Sequence, residues 1–134
     1  MFALVRPLRK YMHYVERAAA YESLFLRRRA LETMKRAVIQ PFTDKEIASG
    51  LVYLGLLSLK MKNHRQALDY FDQSLDMIME EPFPYSSNFG KIIKAFIRQG
   101  DKERAQYWLN QLLAKQSYDR RFKRLEKYRE ILRA

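Results

Sequence analysis

Few side chains in this sequence are spaced for bond-making chemistry. His13 and His64 fall far apart. Neither sits in an H-x3-H or H-E-x-x-H pattern, the spacing that puts two imidazoles on one helix face around zinc. His64 reads as a solvated residue in a turn. Asp69, Asp72, Asp76 and Glu80 run along one side of a predicted helix. Paired carboxylates can hold a metal or exchange protons, but these alternate with the apolar residues Phe71, Leu75 and Ile78 and so read as a solvated outer face. There is no glycine-rich phosphate loop and no G-x-S-x-G elbow. The expectation is therefore a non-enzymatic protein with no catalytic residues, no metal site, no cofactor and no small-molecule substrate.

What the sequence offers instead is positive charge and apolar surface. The formal net charge is +11. Residues 1–40 carry nine Lys/Arg against three Glu, residues 41–114 carry nine of each sign, and residues 115–134 carry eight basic against three acidic residues. The basic ends concentrate in "LRRRALETMKR", with Arg27, Arg28 and Arg29, and in "YDRRFKRLEKYR", with Arg120, Arg121, Lys123, Arg124 and Lys127. Such runs, interleaved with Tyr and Phe, can neutralise phosphates and stack on bases. Association with nucleic acid through the terminal helices is thus the alternative function. It ranks below protein binding because no helix-turn-helix, zinc-finger or RNP signature accompanies the charge. Attachment to an anionic membrane surface ranks lower still, and a simply solvated basic face is the plain alternative to both.

The elements that would position these residues are helices. Leu, Ala, Lys, Arg and Glu dominate, and only four Gly and four Pro interrupt them. The 134 residues suit one domain. Without cysteine there is no disulfide framework, which fits a cytoplasmic protein. The apolar run before Arg6 is too short for a signal peptide. The longest apolar stretch, Ile47 to Leu59, falls short of the roughly 20 residues a bilayer span needs.

The chain also repeats. Ala18 and Ala30, Gly55 and Ala67, and Ile93 and Ala105 each lie twelve apart, and Ala30, Ala67 and Ala105 recur at intervals of 37 and 38 residues. In the middle copy Leu51, Leu54-Gly55, Ser58, Ala67, Phe71 and Ser74-Leu75 follow one another at spacings that resemble the tetratricopeptide repeat. Ser58 and Leu51 depart from that family's usual Tyr and Trp. A later copy reads Phe89, Ile92-Ile93, Phe96, Gly100-Asp101, Ala105, Leu109 and Leu112-Leu113. A fainter early copy reads Tyr14, Arg17-Ala18, Tyr21, Ala30, Met34 and Ala37-Val38, followed by Pro41. The family's period is about 34 residues, so the links "IQPFTD" and "MEEPFPYSS" would absorb the excess.

The resemblance implies an all-α, right-handed superhelix of helix-turn-helix hairpins, about seven helices with a C-terminal capping helix. The repeats would occupy residues 11–43, 44–82 and 85–117, and the cap residues 118–133. Thr43 to Glu46 is a capping box, Gly100 can end a helix in the left-handed conformation, and Asp101 can cap the next. Ser86 or Ser87 can open the helix after Pro84, and Ser117 the capping helix. "YESLFLRRRALE" lacks Gly, Pro and Asn, which leaves open whether the first copy is a hairpin or one long helix.

In that family the first helix of each hairpin lines a groove for a peptide or partner helix. Carried over by position, the groove would present Met12, Val15 and Ala19, then Val52, Leu56 and Leu59, then Lys94, Ile97 and Arg98, apolar at one end and basic at the other. The lysine and asparagine clamp that some members use for a carboxylate is absent. The segment "LVYLGLLSLK" is apolar all round. Leu51, Leu54, Leu57 and Ser58 can face a core, which leaves Val52, Leu56 and Leu59 to be covered. The cover can be another helix of this chain, a partner segment, acidic where it meets Lys94, or a second copy of the protein. A protein-protein interaction module, whether adaptor, scaffold or chaperone-like, is the function this reading implies.

Overall fold

Alanine- and leucine-rich segments punctuated by a few turn residues build helices and nothing else. A computed structural model describes residues 2–134. The described residues form α1 (Phe2–Val5), α2 (Tyr11–Ser23), α3 (Arg27–Ala37), α4 (Asp44–Lys60), α5 (His64–Ile78), α6 (Asn88–Arg98), α7 (Lys102–Leu113) and α8 (Lys127–Arg133), with 3-10 turns at Ala114–Ser117 and Arg120–Glu126 and no strand. The chain clusters into two compact units, one ending at Met77 and the other running from Ile78 to Ala134.

Three of the helix reversals are made by one device. After α2, Phe25 takes φ +60°, its N–H donates to Glu22 O (2.9 Å) and the N–H of Leu26 to Tyr21 O (2.8 Å). After α4, Lys62 takes φ +61°, with Lys62 N donating to Leu59 O (3.0 Å) and Asn63 N to Ser58 O (2.8 Å). After α6, Gly100 takes φ +77°, with Gly100 N donating to Ile97 O (3.0 Å) and Asp101 N to Phe96 O (2.9 Å). Each is a Schellman turn, which satisfies carbonyls the helix end would otherwise orphan. The left-handed residues are spaced 37 and 38 apart, as are the alanines five positions later. The first copy is thus a hairpin, and the uninterrupted sequence between Tyr21 and Glu32 turns without glycine.

The repeat aligns burial as well as turns. Tyr14, Leu51 and Phe89 share a register and are all buried, as are Ala18, Gly55 and Ile93; Ala30, Ala67 and Ala105; Met34, Phe71 and Leu109. The first unit's core gathers Tyr11, Tyr14, Ala18, Ala30, Met34, Ala37, Leu51, Leu54 and Leu57, with Val15, Val38, Phe42 and Tyr53 packed on it. Phe42 meets both Tyr11 and Tyr14 edge-on. Arg17 breaks the register that Leu54 and Ile92 fill; its guanidinium donates instead to the carbonyls of Ala3 (3.3 Å) and Arg6, and so holds α1.

Helix α4 starts at the expected capping box: Glu46 N donates to Thr43 Oγ1 (3.1 Å) and Thr43 N to Glu46 Oε1 (3.1 Å). Asp101 caps α7, accepting from Arg104 N at 3.0 Å. Ahead of α6, Ser86 Oγ accepts from Asn88 N at 3.2 Å.

The C-terminal cap differs from the continuous helix expected over 118–133. Asp119, not Ser117, opens it, accepting from Arg121 N at 3.1 Å, and Arg120–Glu126 winds as 3-10 before α8. The buried residues explain the winding. Phe122, Leu125 and Tyr128 are three apart, and a three-residue turn stacks them on one face.

Gly55 sets the approach of α4 to α5. A Cβ there would lie 2.6 Å from Phe71 Cδ1 and 2.9 Å from Phe71 Cζ, and Phe71 is fully buried. Gly→Ala in an open helix gains about 1 kcal/mol. At this contact Gly55→Ala is expected to lose roughly 1–3 kcal/mol through overpacking. Thermal melts of Gly55→Ala and of Gly55→Ala with Phe71→Leu check this. The second change should recover part of the loss, and an equally stable single variant would contradict the packing account.

Candidate functional site

The expected groove residues divide between the two units, and each set is described where it stands. On α2 Met12 and Ala19 are exposed, while Val15 is partly buried and packs its inner side on the core. On α4 the two sides separate along the repeat register. Leu51, Leu54, Leu57 and Ser58 are buried, whereas Val52, Leu56 and Leu59 are only partly covered. In the second unit Lys94 and Arg98 are exposed and Ile97 is partly covered on α6.

The rim beside the α4 row holds a polar node that spacing did not reveal. Tyr53 Oη donates to Glu22 Oε1, and Lys60 Nζ meets Glu22 Oε2 at 3.2 Å. One carboxylate at the end of α2 therefore ties two residues of α4. Burial, and then the neighbouring Glu22, push the Tyr53 phenol well above its ordinary range, so it stays protonated as a donor. The pairing joins residues 31 and 38 positions apart. Only the shared turn register places them together.

The basic residues expected to form a patch are all exposed, but they are not equivalent. Arg27, Arg28 and Arg29 form the first turn of α3, which has no acidic residue there. Arg121 grips Asp119, with Nε at 3.0 Å from Oδ1 and Nη2 at 2.8 Å from Oδ2. Arg124 lies 5.8 Å from the centre of the Tyr85 ring and Lys127 5.5 Å from that of Tyr128. Arg120 and Lys123 complete the exposed set.

The C-terminal segment is also a clamp on the link between α5 and α6. Lys115 Nζ donates to Met79 O (2.8 Å) and Glu81 O (3.1 Å) and lies 4.4 Å from the centre of the Phe83 ring. Tyr118 Oη accepts from Phe83 N and donates to Phe83 O, both at 3.1 Å. Asp119 Oδ2 accepts from Tyr85 N at 2.9 Å. Phe83, Tyr85, Phe89 and Phe122 pack edge to face or stacked beneath these bonds. Since most partners are backbone groups, no residue pattern announces the clamp.

His13 is structural: its Nδ1 accepts from the N–H of Arg9 (3.1 Å) and Lys10 (3.0 Å) at the start of α2. His64 is exposed at the start of α5. Among the described residues no three His, Asp or Glu side chains are grouped to hold a metal ion, and no helix is long and apolar enough to cross a membrane. Comparison with known protein families and with curated proteins returns no match.

Asp119 gives this clamp a pH dependence. The Arg121 side chain first, and then the N–H of Tyr85, hold its carboxyl well below the usual carboxylate range. A depressed folded-state pKa contributes stability above the unfolded value of about 4, and that contribution is lost as pH falls through the acid range. Asp119→Asn should therefore melt below wild type at neutral pH, with the gap closing on acidification. Circular-dichroism melts across pH read the gap, and a pH-independent difference would rule out the charge as its cause.

Proposed function

We propose that this chain is a non-enzymatic, tetratricopeptide-like scaffold, a superhelix of three hairpins whose α4 face holds a helix or peptide segment of a partner protein. The recurrence of one turn at Phe25, Lys62 and Gly100, in register with the small residues Ala30, Ala67 and Ala105, supports the repeat part of the reading.

The row Val52, Leu56 and Leu59 carries the binding part. Leu56 aligns with Ala19 and Lys94 in the other copies, so the hairpin does not require a leucine there. Apolar side chains left half-covered along one helix are what an incoming apolar ridge uses. The Glu22–Tyr53–Lys60 node makes the rim polar and fixed, the pattern of an apolar centre inside a hydrogen-bonding border.

Selection against a displayed library of amphipathic helical peptides tests this. Wild type should enrich peptides with an apolar face, and Leu56→Asp should lose them by roughly tenfold or more while its helical spectrum and melting temperature persist. Equal retention by both proteins would sink the assignment. Light scattering across concentration identifies the other occupant: a dimer lost on Leu56→Asp would assign the face to a second copy.

The nucleic-acid reading keeps the exposed Arg120, Lys123, Arg124 and Lys127. It loses Arg121, whose guanidinium is engaged with Asp119.

A further inference from the structure

The three Schellman turns have the same geometry and very different residues. The second uses Lys62, followed by Asn63, whose side chain bonds Gln66 at 2.8 Å. The third uses Gly100, the residue that bears a positive φ most easily, followed by the capping Asp101. The first uses Leu24, Phe25 and Leu26. Phe25 is 87% exposed, Leu24 50% and Leu26 39%.

Each choice at this turn opposes local stability. A phenylalanine at φ +60° is strained where glycine would not be. Leu26 stands at the N-cap of α3 and makes no side-chain cap. Three arginines then occupy the first turn of that helix, the end where the helix dipole disfavours cations. The nearby acids do not offset them: Glu22 is held by Tyr53 and Lys60, and Glu32 faces Lys35 at 3.9 Å. The Phe25 and Leu24 side chains serve no packing in the unit's core. The other two turns show that the fold needs neither the apolar tip nor the arginines.

We propose that this tip docks on an anionic lipid surface. Phe25 enters the boundary between headgroups and acyl chains, with Leu24 and Leu26 beside it, and Arg27, Arg28 and Arg29 meet lipid phosphates. The tip sits at a helix reversal with Phe25 87% exposed, and an apolar side chain next to three cations matches the layering of acyl chain below phosphate at a lipid interface. Arginine is suited to the phosphates because its planar guanidinium can donate two parallel hydrogen bonds. An apolar wedge followed immediately by a basic collar is the arrangement that interfacial binding rewards, since two weak signals are needed for a stable attachment. No described helix can cross the bilayer, so the attachment is peripheral. This inference does not depend on what the α4 surface binds.

The test is co-sedimentation of the full chain with phosphatidylserine–phosphatidylcholine vesicles and with phosphatidylcholine vesicles alone. Wild type should partition to the first and not the second. Phe25→Gly should weaken partition by roughly tenfold or more, given the apolar area removed, while its melting temperature stays equal or rises because the backbone strain is relieved. Phe25→Lys copies the residue at the second turn and guards against a fold-specific effect of glycine. It adds a charge, so binding by electrostatics alone would tighten, whereas insertion requires it to weaken. Arg27→Glu with Arg28→Glu should abolish the preference for anionic vesicles. The proposal is overturned if wild type ignores anionic vesicles at low salt. It is equally overturned if Phe25→Gly partitions like wild type, or if the tip binds a soluble acidic protein or an oligonucleotide with no partition to lipid.

Discussion

The constraint on which the structure rests is the reversal of a helix within three residues. A helix that stops leaves its last carbonyls without intrahelical donors. Here the chain answers by turning one residue to positive φ, so that its own N–H and that of the next residue fold back on the finished helix. That single move also fixes where the next helix begins. The alanine five residues later always arrives buried against the first helix, whether the residue in the left-handed conformation is Phe25, Lys62 or Gly100. Close approach at Gly55 and Phe71 follows from it, and so does the meeting of Glu22 with Tyr53 and Lys60.

What was legible in the sequence had a local chemical cause. Gly100 followed by Asp101 is a helix end and a helix start in adjacent residues, and Thr43 to Glu46 satisfies two backbone donors with two side chains. The buried registers were legible because small residues must recur wherever two helices touch. The turn at Phe25 was not legible, since nothing in a phenylalanine advertises a left-handed backbone. The C-terminal cap was half legible. Its apolar stripe was evident, but the spacing of three at Phe122, Leu125 and Tyr128 favoured a tighter helix than the one expected.

The surfaces follow the same division. Burial of Leu51, Leu54 and Leu57 and partial cover of Val52, Leu56 and Leu59 were readable from the repeat register, although the segment itself is apolar all round. Val15 is partly buried like the α4 row, and its inner side packs on the core around Tyr11 and Tyr14. The basic residues were readable as exposed, yet not as engaged or free. Arg121 closes on Asp119 two residues away, and Lys115 on two backbone carbonyls that meet it only once the link between α5 and α6 has folded under the C-terminal segment. Long-range polar partners are set by tertiary structure, and a linear pattern carries little trace of them.

An internal repeat offers a control that a single-copy fold lacks. When three copies share a backbone device, residues that agree among them mark what the device requires, and residues that differ mark freedom or use. Agreement here is strict at Ala30, Ala67 and Ala105, all fully buried. Difference is widest at the turns, and its direction carries information. Lys62 and Gly100 can be explained by solvation and backbone freedom. The sequence from Leu24 to Arg29 runs against solvation, capping and the helix dipole together. The contrast is with the same turn in the other copies, where the left-handed position holds an exposed Lys62 or a Gly100 followed by the capping Asp101, and it is this contrast that the proposed docking at the first turn would explain.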